Sequence, residues 1–332
     1  MNVKRIFSNT WKTLIWPVAI YLLFLASTNL FETGSKFGDL GSMDTIVKQA
    51  LICALIALAM SCNMLNGRWD FSMGIICVVT SFIAAPIVKD YGLNSWGLLV
   101  ACVIICTALC LINGVLYILI KVPSIVISIG MLLIYESLVL IINNGAGARL
   151  SGMVYTEFGR SPHIYILSLV MFIIFYVIYT HTRFGYNVRS LGNNQIIATN
   201  IGVKEKKNTI LSYVLCGVFL GVAACINVSM KGNIEASSTF NNNMGMMFTA
   251  FPPVFIGLYL SKYINYTVGV FIGALCIKML TAGILALGLP SAVQDIGVGF
   301  FLFLFIALTT NQNRFFDWRL RKIKIKASTA SK

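Results

Sequence analysis

The feature that most constrains this chain is a series of apolar runs, each long enough or nearly long enough to cross a membrane. They occupy residues 15–31, 46–65, 73–88, 97–120, 123–142, 163–180, 209–228, 246–260, 264–281 and 292–310. A helix needs about 20 apolar residues to span a hydrocarbon layer of roughly 30 Å. The runs therefore predict an all-α polytopic membrane protein with about ten transmembrane helices.

Composition also favours a membrane protein over a soluble one. Hydrophobic residues make up 58% of the 332 residues and charged residues only 11%, against about 25% charged in an ordinary soluble domain. The net charge of +14 does not indicate nucleic-acid binding, because the basic residues lie at the ends of the apolar runs. No domain boundary is evident, so we expect one membrane domain over residues 1–332.

The distribution of Lys and Arg predicts the orientation of the spans. With ten spans and a cytoplasmic N-terminus, both termini are cytoplasmic, as are the segments near residues 66–72, 121, 181–208 and 261–263. These parts carry 18 of the 25 Lys and Arg residues. An excess of basic residues on one side is typical of the cytoplasmic side of a membrane protein.

Residues 181–208, between the sixth and seventh runs, predict a short helix at the cytoplasmic surface. Asn194 is a good N-cap residue, the stretch from Gln195 to Ile201 contains no helix breaker, and Gly202 stands where a C′ glycine belongs. A short helix held by a span on either side is a suitable contact point for a cytoplasmic motor protein.

All nine cysteines fall in apolar runs. Cys102, Cys106 and Cys110 recur every four residues and share a helix face. A metal site there would need a nearby His, a CxxC pair or a carboxylate, and the sequence shows none. Because a free Cys packs as a small hydrophobe, packing is the favoured interpretation over a metal or disulfide role.

Three stretches resemble the ribose-type sugar permeases of bacterial ABC importers, within the branched-chain amino-acid/ribose permease superfamily. Residues 184–203, FGYNVRSLGNNQIIATNIGV, are similar to the cytoplasmic loop of that family. Residues 65–74, LNGRWDFSMG, are similar to its Gly-Gly-Ile-Asp-Leu-Ser-x-Gly motif. LING at 111–114 and PSIVISIGM at 123–131 are similar to its Asn-Gly and Pro-x-x-Ile-x-x-x-Gly-Met motifs. Gly114 and Gly130 in these motifs, and the small-xxx-small pair Gly217 and Gly221, predict close helix contacts. The resemblance spans roughly residues 46–310.

One stretch departs from the family. Its glycine-rich signature after span eight is replaced by IGLYLSKYINYTVG, and Pro252 and Pro253 interrupt the span before it. A proline inside a helix removes a backbone donor, so we expect an irregular eighth span.

The resemblance implies the permease subunit of an ATP-driven importer that moves a monosaccharide, such as a pentose, hexose or related polyol, into the cytoplasm. The implied partners are an ABC ATPase, a second permease subunit in a homodimer or heterodimer, and an extracytoplasmic sugar-binding protein. The implied location is the bacterial cytoplasmic (inner) membrane. The chain has no GxxxxGK[ST] phosphate loop, so we expect it to be no enzyme and to bind no cofactor, with ATP and Mg²⁺ on the partner ATPase.

The family motifs also provide candidate site residues. The resemblance implies ATPase coupling by Gly192, Asn193, Asn194, Ala198, Thr199, Ile201 and Gly202. The break after the second run, with one polar residue of span four, is a candidate gate formed by Gly67, Asp70, Ser72, Gly74 and Asn113. Such a break must be buried in protein or face water, since lipid cannot satisfy its backbone groups. The alternative is a tight turn with Arg68 and Asp70 in the headgroups.

Glu136 in span five and Lys278 in span nine are charged residues inside predicted spans. Both fall in the outer third of the bilayer at 1.5 Å per residue, so they could pair, and intramembrane charges are functional candidates. The alternative is that Lys278 snorkels to the headgroups and Glu136 is protonated against a neighbouring helix.

Other function classes remain open. A branched-chain amino-acid-type ABC permease would favour charged clamps, and the predicted outer loops show few. A membrane-embedded transferase would need clustered acids or histidines at one face. An ion-coupled secondary carrier would need a chain of buried Asp, Glu and His, whereas the two histidines, His163 and His181, lie at span ends.

Overall fold

The computed structural model describes residues 3–30, 37–142, 148–150, 152, 154–234 and 244–310, which are almost entirely helical. The helices are α1 Val3–Leu30, α2 Leu40–Met64, α3 Met73–Asp90, α4 Ser95–Ile120, α5 Ser124–Ile141, α6 His163–His181, α7 Arg183–Asn193, α8 Gln195–Asn200, α9 Glu205–Lys231, α10 Met244–Leu260, α11 Tyr266–Ala286 and α12 Ser291–Thr310. A 3₁₀ turn, Glu157–Gly159, precedes α6, and β1 Ala148–Arg149 pairs antiparallel with β2 Asn233–Ile234.

Eight of the described helices, α1 to α6, α9 and α11, are long and apolar enough to cross a membrane. Two shorter apolar stretches, Met246–Leu260 and Ala292–Ala307, lie in α10 and α12. The predicted all-α polytopic architecture is confirmed. Several helices extend beyond the predicted runs: α2 begins at Leu40 and α9 at Glu205, because polar residues at the ends of an apolar run can continue the helix.

The bundle is organised around α2, which packs against α6, α9, α10 and α11. Of its apolar window 78% is buried, against 22% for α1 at the periphery. One cluster of buried side chains joins α2, α3, α4 and α9, and a second joins α1, α11 and α12. The apolar side chains of α5 and α6 that face outward are those that lipid would cover.

Small residues let α9 lie close to α4. A Cβ added at Gly221 would stand 2.6 Å from Val103 Cα, and one at Gly114 would stand 2.7 Å from Tyr213 Cδ2. Close packing at the Gly217 and Gly221 pair is thus confirmed. At Gly130 the same prediction is wrong, because a Cβ there would meet no described atom within 4 Å.

The predicted interruption of span eight is also wrong, since α10 runs unbroken through Pro252 and Pro253. The helix packs closely against α11 at this point. A Cβ at Gly273 of α11 would stand 2.9 Å from Pro253 Cα. A Cβ at Gly269 would stand 3.2 Å from Gly257 Cα. Gly257, Gly269 and Gly273 therefore let α10 and α11 approach closely.

The cysteines lie in the buried interior of the bundle. All nine are buried, and the Cys106 Sγ lies 3.0 Å from the Thr80 Oγ1 of α3. The face shared by Cys102, Cys106 and Cys110 is fully buried. The structure thus places these side chains in helix packing.

Candidate functional site

The segment between α6 and α9 forms two helices, of which the sequence predicted only the second. The first, α7, exposes polar residues and buries Gly185, Val188 and Leu191, which follow one another at three-residue intervals on one face. The three-residue spacing of these positions in the sequence could have revealed this first helix. We call residues 183–202 the coupling segment, after the role that the resemblance implies.

Polar contacts fix the start of α7 to the end of α6. The Thr182 side chain caps α7 by accepting a hydrogen bond from the Gly185 backbone. Arg189 donates from Nη2 to the Tyr179 carbonyl of α6 at 3.4 Å, and its guanidinium lies 5.5 Å from the centroid of the Tyr179 ring. A side chain at Gly185 would overlap the Tyr179 carbonyl. Because of these contacts α7 extends rigidly from a transmembrane helix.

The second helix, α8, has the predicted ends. Asn194 Oδ1 accepts from the Ile197 backbone at 3.1 Å, which confirms the N-cap. Gly202 adopts φ +96°, and Val203 N donates to the Ala198 carbonyl at 3.0 Å. This is the Schellman arrangement that favours glycine at C′.

Most of α8 is exposed, and its exposed surface is apolar. Ile196, Ile197 and Ile201 are exposed by 72, 59 and 72%, whereas Ala198 is buried. The other predicted coupling residues, Asn193, Asn194 and Thr199, are exposed around them. Three adjacent exposed isoleucines outside the spans mark a surface for a protein partner.

The coupling segment touches the break between α2 and α3, residues 65–72, which we call the junction. A Cβ at Gly192 would overlap the Leu65 carbonyl oxygen, and one at Gly67 would lie 3.9 Å from Gly192 Cα. Gly67 itself adopts φ +77°, a conformation that favours glycine. Two predicted groups of site residues, one for coupling and one for the gate, are therefore in direct contact.

Three of the predicted gate residues, Asp70, Ser72 and Asn113, form one buried hydrogen-bond chain, whereas Gly67 is exposed and Gly74 is buried in the first turn of α3. Ser72 donates from its backbone and its hydroxyl to Asp70 Oδ1 at 2.9 and 2.6 Å. Asn113 Nδ2 donates to Ser72 Oγ at 2.7 Å, and the Tyr135 hydroxyl donates to Asn113 Oδ1 at 3.0 Å. The chain links the junction to α4 and α5. Asn113 is buried in it and so does not line an open path here.

Arg68 is a site residue that the motif comparison missed. Its Nη2 lies 2.9 Å from Glu205 Oε1 in the first turn of α9, and its guanidinium lies 5.1 Å from the centroid of the Tyr117 ring. A second bond to α9 runs from Asn66 Nδ2 to Ser212 Oγ at 3.1 Å. In the sequence, the signal for this role was a basic residue, Arg68, directly after the turn at Gly67.

Arg68 and Asp70 are buried, with 2 and 4% of their surfaces exposed. The alternative of a tight turn in the headgroups is therefore wrong, and the break is buried in protein. Burial raises the pKa of the Asp70 carboxyl, while the hydrogen bonds from Ser72 oppose the shift. Asp70 Oδ2 has no hydrogen-bond partner among the described residues, so this carboxyl remains incompletely satisfied.

The junction also forms one wall of an aromatic cleft of about 630 Å³. Trp69 lies against Phe251 and Phe255 of α10, with ring centroids 6.0 and 6.2 Å apart. Phe71 and Asp295 complete the opening beside α12. The Trp69 backbone is held by a hydrogen bond to Ser124 Oγ at 3.1 Å. A movement of the junction would therefore change the shape of this cleft.

The structure does not bring Glu136 and Lys278 together, which corrects the predicted pair. The ion pairs of the described residues are Lys48 with Asp44, Arg68 with Glu205, and His163 with Glu157. Glu136 is buried on α5, which packs mainly against α3 and α4, whereas α11 carries Lys278 and packs mainly against α10, α2 and α1. The sequence placed both residues at a similar depth in the bilayer, but depth alone does not determine on which side of the bundle each residue lies.

Comparison with known proteins gives one family and several relatives. The profile of a family described as "branched-chain amino acid transport system / permease component" matches residues 42–309. The ribose import permease protein of Escherichia coli is 25% identical over 309 residues, which cover 88% of this chain and 92% of that protein. No solved structure matches.

Two further relatives have similar coverage. The autoinducer 2 import system permease protein of Photorhabdus luminescens is 24% identical over 298 residues, 86% of this chain and 84% of its own. The galactofuranose transporter permease protein of Escherichia coli is 24% identical over 308 residues, with 85 and 86% covered. Each likeness therefore extends over most of both chains.

Proposed function

The chain belongs to the family of branched-chain amino acid transport system permease components, and on that premise we propose that it is the membrane-spanning subunit of an ATP-driven monosaccharide importer. It is a multi-pass protein of the inner membrane. The observation that carries the proposal is the exposed isoleucine surface of α8, rigidly joined through α7 to the junction. A permease without a phosphate loop of its own needs such a surface to receive force from an ATPase.

The choice of a sugar rests on the relatives. Of the permeases that resemble this chain over most of their length, two are named for ribose and galactofuranose, another for galactose and methyl galactoside, and one for autoinducer 2. A sugar therefore ranks above a branched-chain amino acid, although the family description names the latter.

In the proposed mechanism an ABC ATPase docks on Ile196, Ile197 and Ile201. Its nucleotide-dependent movement displaces α8 and α7 together, because Arg189 binds Tyr179 of α6 and Gly185 lies against the Tyr179 carbonyl. The displacement passes through the contact of Gly192 with Leu65 into the junction. A ligand shifts an equilibrium only by binding its two states unequally, so ATP and Mg²⁺ on the partner supply the bias.

The proposed assembly contains two permease subunits, in a homodimer or a heterodimer, with the ATPase on the cytoplasmic side. An extracytoplasmic sugar-binding protein delivers the substrate. This chain contributes the path and the coupling segment, and the bilayer surrounds its outward-facing apolar side chains.

The test is uptake into proteoliposomes that contain the chain with its ABC ATPase and sugar-binding protein. We expect ATP-dependent accumulation of D-ribose or D-galactose and none of L-leucine. Accumulation of leucine alone would instead favour the amino-acid permease. Failure to accumulate any of the three would overturn the proposal.

The coupling role has its own test. Replacing Ala198 with Trp or Gly202 with Leu should leave the protein inserted but separate ATP hydrolysis from uptake. Ala198 is buried and Gly202 has positive φ, so both changes distort α8. Normal uptake by these variants would remove the assigned role.

A further inference from the structure

A second opening, which we call the outer cleft, lies between the start of α2, the end of α11 and the start of α12. It has a volume of about 550 Å³, within the usual range for small-molecule sites of about 300–1,000 Å³. By the predicted orientation it opens on the extracytoplasmic side. Half of the residues that line it carry side chains able to hydrogen-bond. They are Asp39, Ser42, Thr45, Gln49, Thr281 and Gln294.

The spacing along α2 separates neutral polar groups from charges. Ser42, Thr45 and Gln49 face the cleft, at intervals of three and four residues that keep them on one helix face. Asp44 and Lys48 are not among the lining residues and pair with each other at 2.6 Å. The cleft therefore receives hydroxyl and amide groups of this helix rather than its charged groups.

The cleft lies at the outer margin of the membrane. Gln49 is the fourth residue of the predicted run 46–65, Gln294 is the third of 292–310 and Thr281 is the last of 264–281. Polar side chains in this region need partners or water. The side chains of Gln49 and Gln294 form no hydrogen bond with any described residue. Two amides with unused donors and acceptors thus face one opening.

Lys278 lies one helical turn deeper on the same face of α11 as Thr281 and Ala282. It is half-buried, forms no ion pair within the described part of the chain, and lies close enough to Cys53 of α2 to act on it electrostatically. An ammonium at this depth needs water or a polar ligand. The outer cleft begins one helical turn above Lys278, at Thr281 and Ala282.

We propose that the outer cleft binds a neutral monosaccharide in transit, with the Gln49 and Gln294 amides hydrogen-bonding to its hydroxyl groups. This inference rests on the proposed function. A sugar presents many donors and acceptors and no net charge, which matches neutral amides and hydroxyls with Asp39 at the rim. A lipid chain would leave these polar groups unpaired, which costs free energy.

The first experiment uses the assembled transporter in proteoliposomes, with Gln49→Leu, Gln294→Leu and the double variant. The probe is D-ribose or D-galactose, whichever the wild type imports, at limiting concentration. We expect the initial uptake rate to fall about threefold for each single change and about tenfold for both, the usual effect of losing one and two hydrogen bonds. The control is Ser137→Ala, an exposed α5 residue that bonds only within its own helix, which should transport normally.

The outcomes separate this inference from the proposed function. Sugar import by the wild type with an equal rate in the double variant would overturn the site and leave the importer intact. Absence of import by the wild type would overturn both.

A second measurement does not depend on uptake by a damaged protein. All nine native cysteines are buried, so Thr45→Cys introduces an accessible thiol at an exposed position in the cleft. A membrane-impermeant methanethiosulfonate should label it, and the imported sugar should slow labelling at least threefold. Labelling that the sugar does not slow would contradict the proposal. Failure to label in the assembled transporter would show that another subunit covers the cleft and would also contradict it.

Discussion

At position 192 the absence of a side chain brings the coupling segment into contact with the core of the bundle. The Gly192 backbone lies directly on the Leu65 carbonyl, with no room for a methyl group. Gly130 offers a contrast, because a Cβ there would meet no described atom within 4 Å. These two glycines predict opposite responses to the same substitution.

We expect Gly192→Ala to separate the coupling segment from the junction and to lower sugar uptake per ATP hydrolysed at least fivefold. The matched control, Gly130→Ala, should change neither quantity. The measurement is sugar uptake and phosphate release on the same proteoliposomes. An unchanged ratio of uptake to phosphate release for Gly192→Ala would show that force does not pass through this contact.

Arg68 and Glu205 provide a prediction of stability. The Arg68 side chain is only 3% exposed and that of Glu205 30%, whereas the Glu157 and His163 pair is 44 and 45% exposed. Leaving a buried charge unpaired is costly, and exposed pairs contribute little. Glu205→Gln should lower the free energy of unfolding by about 1–3 kcal/mol, a value reduced for the partial exposure of Glu205.

The matching variant, Glu157→Gln, should change the unfolding free energy by less than about 0.5 kcal/mol. Thermal unfolding of the detergent-solubilised chain measures both. Equal Tm values for the two variants would mean that Arg68 finds another partner when Glu205 is lost.

At the scale of the element, α7 and α8 show how far the sequence could be interpreted. The ends of α8 were predictable, because Asn194 and Gly202 act through local backbone geometry. The contact of α7 with the junction was not, since it depends on two segments far apart in the chain meeting at Gly192 and Leu65. Local chemistry determines where a helix ends, whereas its partners depend on the whole bundle.

The same distinction explains the errors in the spans. Close packing at Gly217 was predictable from a small-residue pair, but the Gly130 prediction failed because nothing in the sequence shows which helix faces α5. Pro252 and Pro253 indicated a break, but α10 continues through them where it packs against Gly273 of α11. In both cases the neighbouring helix decides the outcome.

The apolar surface of α8 predicts where the ATPase binds. Replacing Ile196, Ile197 and Ile201 with Ser together should leave the Tm within about 2 °C of the wild type, because these side chains are exposed and surface changes are usually near neutral. The variant should lose co-purification with the ATPase. The control variant replaces Leu119 and Ile120, which are exposed at the end of α4, with Ser. It removes comparable apolar surface and should leave binding to the ATPase intact. Retained binding by the α8 variant would place the ATPase elsewhere.

At the scale of the whole molecule, the coupling segment and the junction are in contact on one side of the described structure, the outer cleft opens on another, and the sequence has no phosphate loop for ATP. The junction joins α2 to α3, bonds to α9 through Arg68 and Asn66, and forms a wall of the aromatic cleft. These links let one displacement reach several spans. They do not by themselves make transport run uphill.

The chain reconstituted alone should therefore accumulate no D-ribose or D-galactose above the external concentration, whether or not proton or sodium gradients are imposed. Adding the ATPase, the binding protein and internal ATP should start accumulation. Uphill uptake driven by an ion gradient in the chain alone would identify a secondary carrier and contradict the proposed function.

The contact of Gly192 with Leu65 also limits how such permeases could be recombined. Two surfaces that meet without a gap must be exchanged as a unit, since each is shaped to the other. A chimaera that receives a foreign loop at 183–202 should work only if residues 65–72 come from the same donor. The interchangeable module of this protein is therefore discontinuous in sequence, and a graft planned along the linear chain would cut it in half.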